Sequence, residues 1–240
     1  MTGKMIGAGL GPGDPQLITL KSARAIEAAQ VIAYPALPGT ESFARRIAAN
    51  HIAPGAHEIV IEVPMTQARA PAQAAYDLGA ARIAEALDLG QDVVVLCEGD
   101  PFFYGSFMYL YARLAVRYDV EVIAGVTSVS AAAARAGRPL TARTDSLATI
   151  PATLDDDSIR MRIEAADSLA ILKLGRHLGR IRALIACLGL LERATYVEHA
   201  TLDGELILPL ADAPDPAPYF SMILVTKGVD PWLNPPSSSR

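Results

Sequence analysis

The chain has 240 residues, of which 51% are hydrophobic and 20% charged, enough apolar material for a large core in one domain or two small ones. Its formal net charge of −5 argues against the broad basic surface that nucleic acid requires. No apolar run approaches the roughly 20 residues of a membrane helix, and residues 1–7 lack the basic and apolar regions of a secretion signal, so the expectation is a soluble cytoplasmic protein with no membrane and no nucleic-acid partner.

Residues 4–10 read as a first strand that runs into Gly11, Pro12, Gly13, Asp14 and Pro15 before a helical stretch beginning near Leu17. Gly7 and Gly9 start the spacing of a dinucleotide-binding turn, but Pro12 holds the third glycine position and offers no amide to a pyrophosphate. A second strand, 31–33, ends at Tyr34 and Pro35 without the acid that usually holds a cofactor ribose, which disfavours a nicotinamide cofactor. A third strand at 59–63 and an alanine-rich helix at 72–89, closed by Gly90, continue the βαβα alternation.

Val93, Val94, Val95, Leu96 and Cys97 are continuously apolar rather than alternating, the pattern of a central parallel strand covered on both faces. Glu98, Gly99, Asp100 and Pro101 then stop the strand. Open α/β sheets bind ligands beyond the carboxyl ends of their strands, so Glu98 and Asp100 are expected to face a cleft. The plain alternative for Asp100 is a cap on the next helix, expected over 102–118 and crowded with Phe102, Phe103, Tyr104, Phe107, Tyr109, Tyr111 and Tyr118. A strand at 120–123 leads to a second glycine turn, Gly125 to Ser128, and a helix of small residues at 129–136, for which Thr127 or Ser128 fits the N-cap. The domain boundary is placed between 120 and 121.

The second domain, 121–232, offers strand-like runs at 147–150, 169–174, 195–197, 206–208 and 219–225, with helices at 159–165 and 178–188. Its later strands lack intervening helices, which predicts an antiparallel part and a mixed rather than wholly parallel architecture. Asp155, Asp156 and Asp157 read as a solvated helix start, Cys97 and Cys187 as reduced core thiols far from metal-ligand spacing, and residues 233–240 as a disordered tail.

Four stretches, 9–15 (Gly-Leu-Gly-Pro-Gly-Asp-Pro), 99–105 (Gly-Asp-Pro-Phe-Phe-Tyr-Gly), 125–128 (Gly-Val-Thr-Ser) and 219–225 (Tyr-Phe-Ser-Met-Ile-Leu-Val), together resemble the tetrapyrrole (corrin and porphyrin) methyltransferase family in order and spacing over nearly the whole chain. The run from Cys97 to Phe107, with Glu98 where the commoner family form has glycine, is most similar to members that methylate C20 of precorrin-2 in cobalamin biosynthesis. The resemblance implies an α/β fold of two domains with mixed sheets and helices on both faces, S-adenosylmethionine (SAM) in the cleft between the domains, and a homodimer. By position it implies cofactor contacts at Pro12, Glu98, Gly99, Asp100, Phe103, Thr127, Ser128, Leu174 and Ala200, and no metal.

In that chemistry an electron-rich meso carbon takes the sulfonium methyl and later loses a proton, for which Glu98 is the first candidate base, followed by Tyr104 and Tyr219. Arg138, Arg143, Lys173, Arg176 and His177 are the cations available to the substrate's carboxylates. The competing readings are another tetrapyrrole methylase of the family, the cobalt-bound form of the same substrate, an RNA- or protein-directed methylase of the same fold, and a carrier without catalysis.

Overall fold

The computed structural model describes residues 2–64 and 68–228, which form two compact units, Met1–Ser128 and Val129–Arg240. The expected tail at 233–240 lies outside the described residues.

The first unit is built on five strands, β1 (Met5–Gly9), β2 (Val31–Ala36), β3 (His57–Glu62), β4 (Val93–Cys97) and β5 (Val120–Ile123), in the order β3-β2-β4-β1-β5, with every pair parallel. Five helices follow the strands in chain order: α1 (Leu20–Ala28), α2 (Phe43–Ala48), α3 (Arg69–Asp88), α4 (Phe107–Leu114) and α5 (Ser128–Arg135), the last carrying the chain into the second unit. The continuous apolar run of β4 is explained by its two covered faces. Val93, Val95 and Cys97 pack with Tyr76, Ile83 and Leu87 of α3 and Phe107, Leu110 and Leu114 of α4, while Val94 and Leu96 pack with Ile26 of α1 and Ala44 and Ile47 of α2. Pro35, which has no N–H, lies beyond the stretch Val31–Ala33 over which β2 pairs with β4, so the interior strand loses no ladder bond on that side.

The second unit has five strands in the order β6-β7-β10-β8-β9: β6 (Leu147–Pro151), β7 (Ser168–Leu172), β8 (Ala194–Glu198), β9 (Leu206–Pro209) and β10 (Ser221–Thr226). β6 and β7 are parallel, and the remaining pairs are antiparallel, the mixed sheet expected from strands that lack helical crossovers. Helices α6 (Asp156–Ala165) and α7 (Leu178–Cys187) bury Ile159, Ile163, Leu178, Ile181 and Ile185 against one face, and Val129, Ala132 and Ala133 of α5 cover the other. Asp155 starts α6 as its N-cap, accepting from the Ser158 amide, with Asp156 and Asp157 in the first turn.

Three expectations need correction. The division falls after Ser128 rather than after 120, because β5 is hydrogen-bonded to β1 and belongs to the first sheet. The helix expected over 102–118 is only Phe107–Leu114; residues 101–106 fold into a turn in which a Cβ at Gly105 would stand 2.6 Å from the Pro101 carbonyl oxygen. Cys187 is exposed rather than part of a core, whereas Cys97 is buried.

Gly7 of β1 makes room for Phe107 of α4: a Cβ at Gly7 would lie 2.5–2.7 Å from the Phe107 ring. Gly7→Ala should therefore destabilise the protein by about 1–3 kcal/mol, the usual range for overpacking, and the loss should largely disappear in a Phe107→Ala background. Denaturant midpoints of the two single variants and the double variant measure this. Strict additivity would contradict the contact.

Candidate active site

β4, β1 and β5 are neighbours and parallel, so the three glycine turns that follow them emerge at one end of the first sheet. The turns meet as bare backbone. The Leu10 amide donates to the Cys97 carbonyl at 3.0 Å, and Gly11 and Gly99 exchange amide-to-carbonyl bonds of 3.2 and 2.8 Å. A Cβ at Gly125 would sit 2.0 Å from the Gly99 carbonyl oxygen, and one at Gly9 would sit 2.6 Å from Gly125. Side chains at these two positions are excluded by contact, not by conformation.

Gly99 is constrained differently. Its φ of +65° is in the left-handed region, but a Cβ there meets nothing within 4 Å, so its outward side faces open space. Asp100 locks this arrangement. One carboxylate oxygen accepts from the Phe102 amide at 2.9 Å and the other from the Gly125 amide at 3.0 Å, joining the β4 turn to the β5 turn. It does not cap α4, which begins only at Phe107. The cap at the first turn is Asp14, which accepts from the Gln16 amide at 2.8 Å. The amides of Gly11, Gly99 and Gly125 are thus all occupied by protein acceptors, so these three do not offer themselves to a phosphate.

Glu98, expected to face an incoming ligand, sends its carboxylate to the Ala44 amide at the start of α2. Burial pushes its carboxyl above the ordinary carboxylate range, and the Ala44 bond partly offsets that rise. Burial also pushes the neighbouring Cys97 thiol up to about 12, which keeps it protonated and unreactive near neutral pH. Pro12 is half-buried in the first turn, while Phe103 and Tyr104 are exposed and meet edge to face at 5.3 Å. Tyr104 has a left-handed φ of 58°, a conformation a bulky residue adopts only when its turn requires it. Phe107 is core.

In the second unit, the chain leaves β7 and β8 at the same end of the sheet, because both run antiparallel to β10 between them. Lys173, Leu174 and His177, Glu198 through Thr201, and Tyr219 before β10 collect there. Lys173, His199 and Thr201 all have left-handed φ, of 59°, 49° and 69°. The Leu174 side chain is fully buried in the core, so it can offer a ligand only backbone; its carbonyl accepts from the His177 amide at 2.7 Å. Tyr219 is exposed and packs edge to face with Phe220 at 5.2 Å. Arg138 is already engaged within the protein: its guanidinium donates to the Thr195 hydroxyl and to the Arg193 carbonyl. Arg143, Lys173 and Arg176 are exposed, and burial together with nearby Arg180 and Arg176 lowers the pKa of His177.

Sequence reasoning missed two groups. Tyr196, fully buried, donates to Glu198 at 2.5 Å, with His199 Nδ1 3.6 Å from the same carboxylate. Glu205 accepts from the Thr201 amide at 2.8 Å and pairs with Arg135. Glu198 and His199 beside Ala200 were the sequence signal; Tyr196 and Thr201 are local partners, but Arg135 lies 70 residues from Glu205.

Over residues 4–214 the sequence matches the family described as Tetrapyrrole (Corrin/Porphyrin) Methylases. It is 38% identical over 232 residues to a precorrin-2 C(20)-methyltransferase of Sinorhizobium sp, covering 93% of this chain and 95% of that protein. It is 40% identical over 236 residues to the cobalamin biosynthesis protein CobIJ of Mycobacterium tuberculosis, covering 94% of this chain; the chain spans 46%, about half, of that relative's length. A cobalt-precorrin-2 C(20)-methyltransferase of Salmonella typhimurium is 33% identical, with 95% and 98% covered. Among solved structures, a uroporphyrin-III C-methyl transferase from Thermus thermophilus complexed with S-adenyl homocysteine superposes with a TM-score of 0.64 at 28% identity, covering 93% of this chain and 97% of that one.

The Asp100 strap gives a ranked expectation. Asp100→Asn keeps one acceptor but cannot serve both amides, so it should cost about 1–3 kcal/mol, and Asp100→Leu, which serves neither, should cost more. Thermal or denaturant unfolding reads both. Equal losses would show that charge rather than the two amide bonds matters.

Proposed function

Because the chain belongs to the tetrapyrrole methylase family, we propose that it transfers a methyl group from SAM to C20 of precorrin-2, giving precorrin-3A in cobalamin biosynthesis. The observation that carries this reading is the set of paired turn amides around an open Gly99. A phosphate held on the glycines of these turns would draw on the amides of Gly11, Gly99 and Gly125, and all three are engaged. SAM has no phosphate and fits a turn with one unobstructed glycine. When bound it supplies an electrophilic methyl on a sulfonium centre.

The proposed cofactor contacts are Pro12, Gly99, Asp100, Phe103, Thr127 and Ser128, mainly through turn backbone, together with Ala200 and the backbone of the buried Leu174. With large ligands, holding them at near-attack distance supplies roughly 7–11 kcal/mol of the barrier reduction, more than any single acid or base. Lys173, Arg176 and Arg143 are exposed cations proposed to meet substrate carboxylates, and Tyr104 and Tyr219 are exposed phenols in the strand-end turns.

The cobalt complex of the same tetrapyrrole is the second reading, supported by the Salmonella relative. The protein would work as a homodimer, for which the exposed, mutually packed rings of Phe102 and Tyr111 are the motive, and light scattering at micromolar concentration measures the state directly. It would work in the cytoplasm, where the exposed Cys187 thiol stays reduced. Among the described residues no helix is long and apolar enough to cross a membrane.

Incubation with SAM and precorrin-2 should yield a product one methyl group heavier, with NMR placing the methyl at C20. Methylation at another carbon would overturn the substrate reading, and turnover of the cobalt complex alone would select the second one.

Glu98 is the proposed acceptor of the proton lost after transfer, a role suited to a carboxyl whose pKa burial has raised. As a base it must be ionised, so kcat/KM should fall as pH drops through that raised pKa, and Glu98→Gln should lower turnover about 10²-fold with near-normal SAM binding. The sign for stability is opposite. The folded state holds this proton more tightly than the unfolded chain, so ionisation weakens the fold as pH rises from the ordinary carboxylate value through the raised one, and Glu98→Gln should remove that part of the pH dependence. Turnover of Glu98→Gln within a factor of about two of the parent would assign the carboxylate to holding α2 instead.

A further inference from the structure

We propose that Glu205 and Arg135 are positioning residues that clamp the left-handed turn at 199–201 in its cofactor-binding conformation. The proposal rests on the reading of Ala200 as a cofactor contact, and the test separates the two.

Ala200 lies between two residues in the left-handed region, His199 at φ 49° and Thr201 at φ 69°. Neither is glycine, and Thr201 is β-branched, so the conformation persists only if its surroundings enforce it. Three bonds do so within the second unit. The His199 amide donates to the Phe220 carbonyl at 2.8 Å, the Leu202 amide returns to the His199 carbonyl at 2.9 Å, and the Thr201 amide donates to Glu205 Oε2 at 2.8 Å. The third is the only one of these made by a side chain.

That carboxylate is itself held. Arg135 Nε lies 2.8 and 2.9 Å from its two oxygens and Nη2 2.7 Å from Oε1, and only 14% of the Glu205 side chain is exposed. A carboxylate this enclosed needs a matched charge, and a forked guanidinium fixes its orientation as well as its ionisation. The pairing holds the Glu205 carboxyl below the ordinary range, so the clamp stays ionised at neutral pH. Arg135 closes α5, the helix that opens at Ser128 in the third glycine turn. One rigid helix thus has a proposed cofactor turn at its start and the anchor of a second at its end. Ala200 backbone groups are presented by a strained turn, the strain is held by Glu205, and Glu205 is aimed by Arg135.

The prediction concerns KM more than kcat. Arg135→Ala, at an exposed helix end where no core cavity is created, should raise KM for SAM and the calorimetric Kd about tenfold, with kcat at saturating SAM within a factor of about two. Glu205→Ala should do the same or more, Glu205→Gln should recover part of the loss because an amide oxygen still accepts from Thr201, and Arg135→Ala combined with Glu205→Ala should be no worse than Glu205→Ala alone. A purely structural role would lower the melting temperature and leave KM for SAM unchanged. Unchanged KM and Kd in both folded Arg135→Ala and Glu205→Ala would overturn the clamp. Ala200→Trp is the separate arm: if it abolishes SAM binding while the clamp variants bind normally, the clamp is wrong and the turn is still a cofactor contact; if Ala200→Trp also binds normally, the cofactor reading of the turn itself falls.

Discussion

A Cβ at Gly125 would stand 2.0 Å from the Gly99 carbonyl oxygen, and one at Gly9 would stand 2.6 Å from Gly125, so the turns after β1, β4 and β5 can come together only where no side chain intervenes. Most features of the first unit follow from that contact. It requires three adjacent parallel strands to end level with one another, which their register provides: Met5 is opposite both Val93 and Val120. It leaves the turn amides near acceptors of the neighbouring turns, so Gly11 pairs with Gly99 and Gly125 with Asp100. It also turns the outward side of Gly99 away from protein. The same geometry that occupies these amides thus makes a flat backbone shelf with one open glycine, and the methyl-transfer reading depends on that shelf.

The second unit solves a similar problem by different means. Its strand-end turns are not glycine-rich where they matter; Lys173, His199 and Thr201 adopt left-handed backbone with side chains attached. Such residues need support, and the support is polar: the Phe220 carbonyl, the Glu205 carboxylate and behind it Arg135. The buried Tyr196 phenol donates to Glu198, the residue just before the 199–201 turn, and burial and that carboxylate together push the phenol well above its ordinary pKa. Close backbone contact in one unit and clamped strain in the other are two routes to preorganised backbone, which is what chemistry that depends on positioning requires.

The sheet strands were legible because a strand covered on both faces must be apolar at every position, and β4 with its run of valines, leucine and cysteine is the extreme case. The turns were legible as glycine clusters after those strands. The six residues of α2 are too short to show a helical period, and the aromatic run after Pro101 looked helical before Phe107 because rings that pack in a turn carry the same apolar signal as rings on a helix. The direction of the Glu98 side chain was not legible at all: it depends on the start of α2, which reaches the end of β4 only because β2 and β4 are neighbours. Glu205 with Arg135, 70 residues apart, carried no local pattern. Family resemblance singled out Leu174 just after β7, but its burial, and hence the restriction to backbone contact, needed the packed core.

The shelf is tested most directly by titrating SAM calorimetrically into two glycine variants that impose the same kind of backbone strain in different places. Gly99 and Gly55 both have positive φ, 65° and 86°, and a Cβ at either meets nothing within 4 Å, but Gly55 lies before β3, at the other end of the sheet from the turns. The account predicts that Gly55→Val binds SAM as the parent does, while folded Gly99→Val shows no measurable binding. Parent-like SAM affinity in folded Gly99→Val would contradict it.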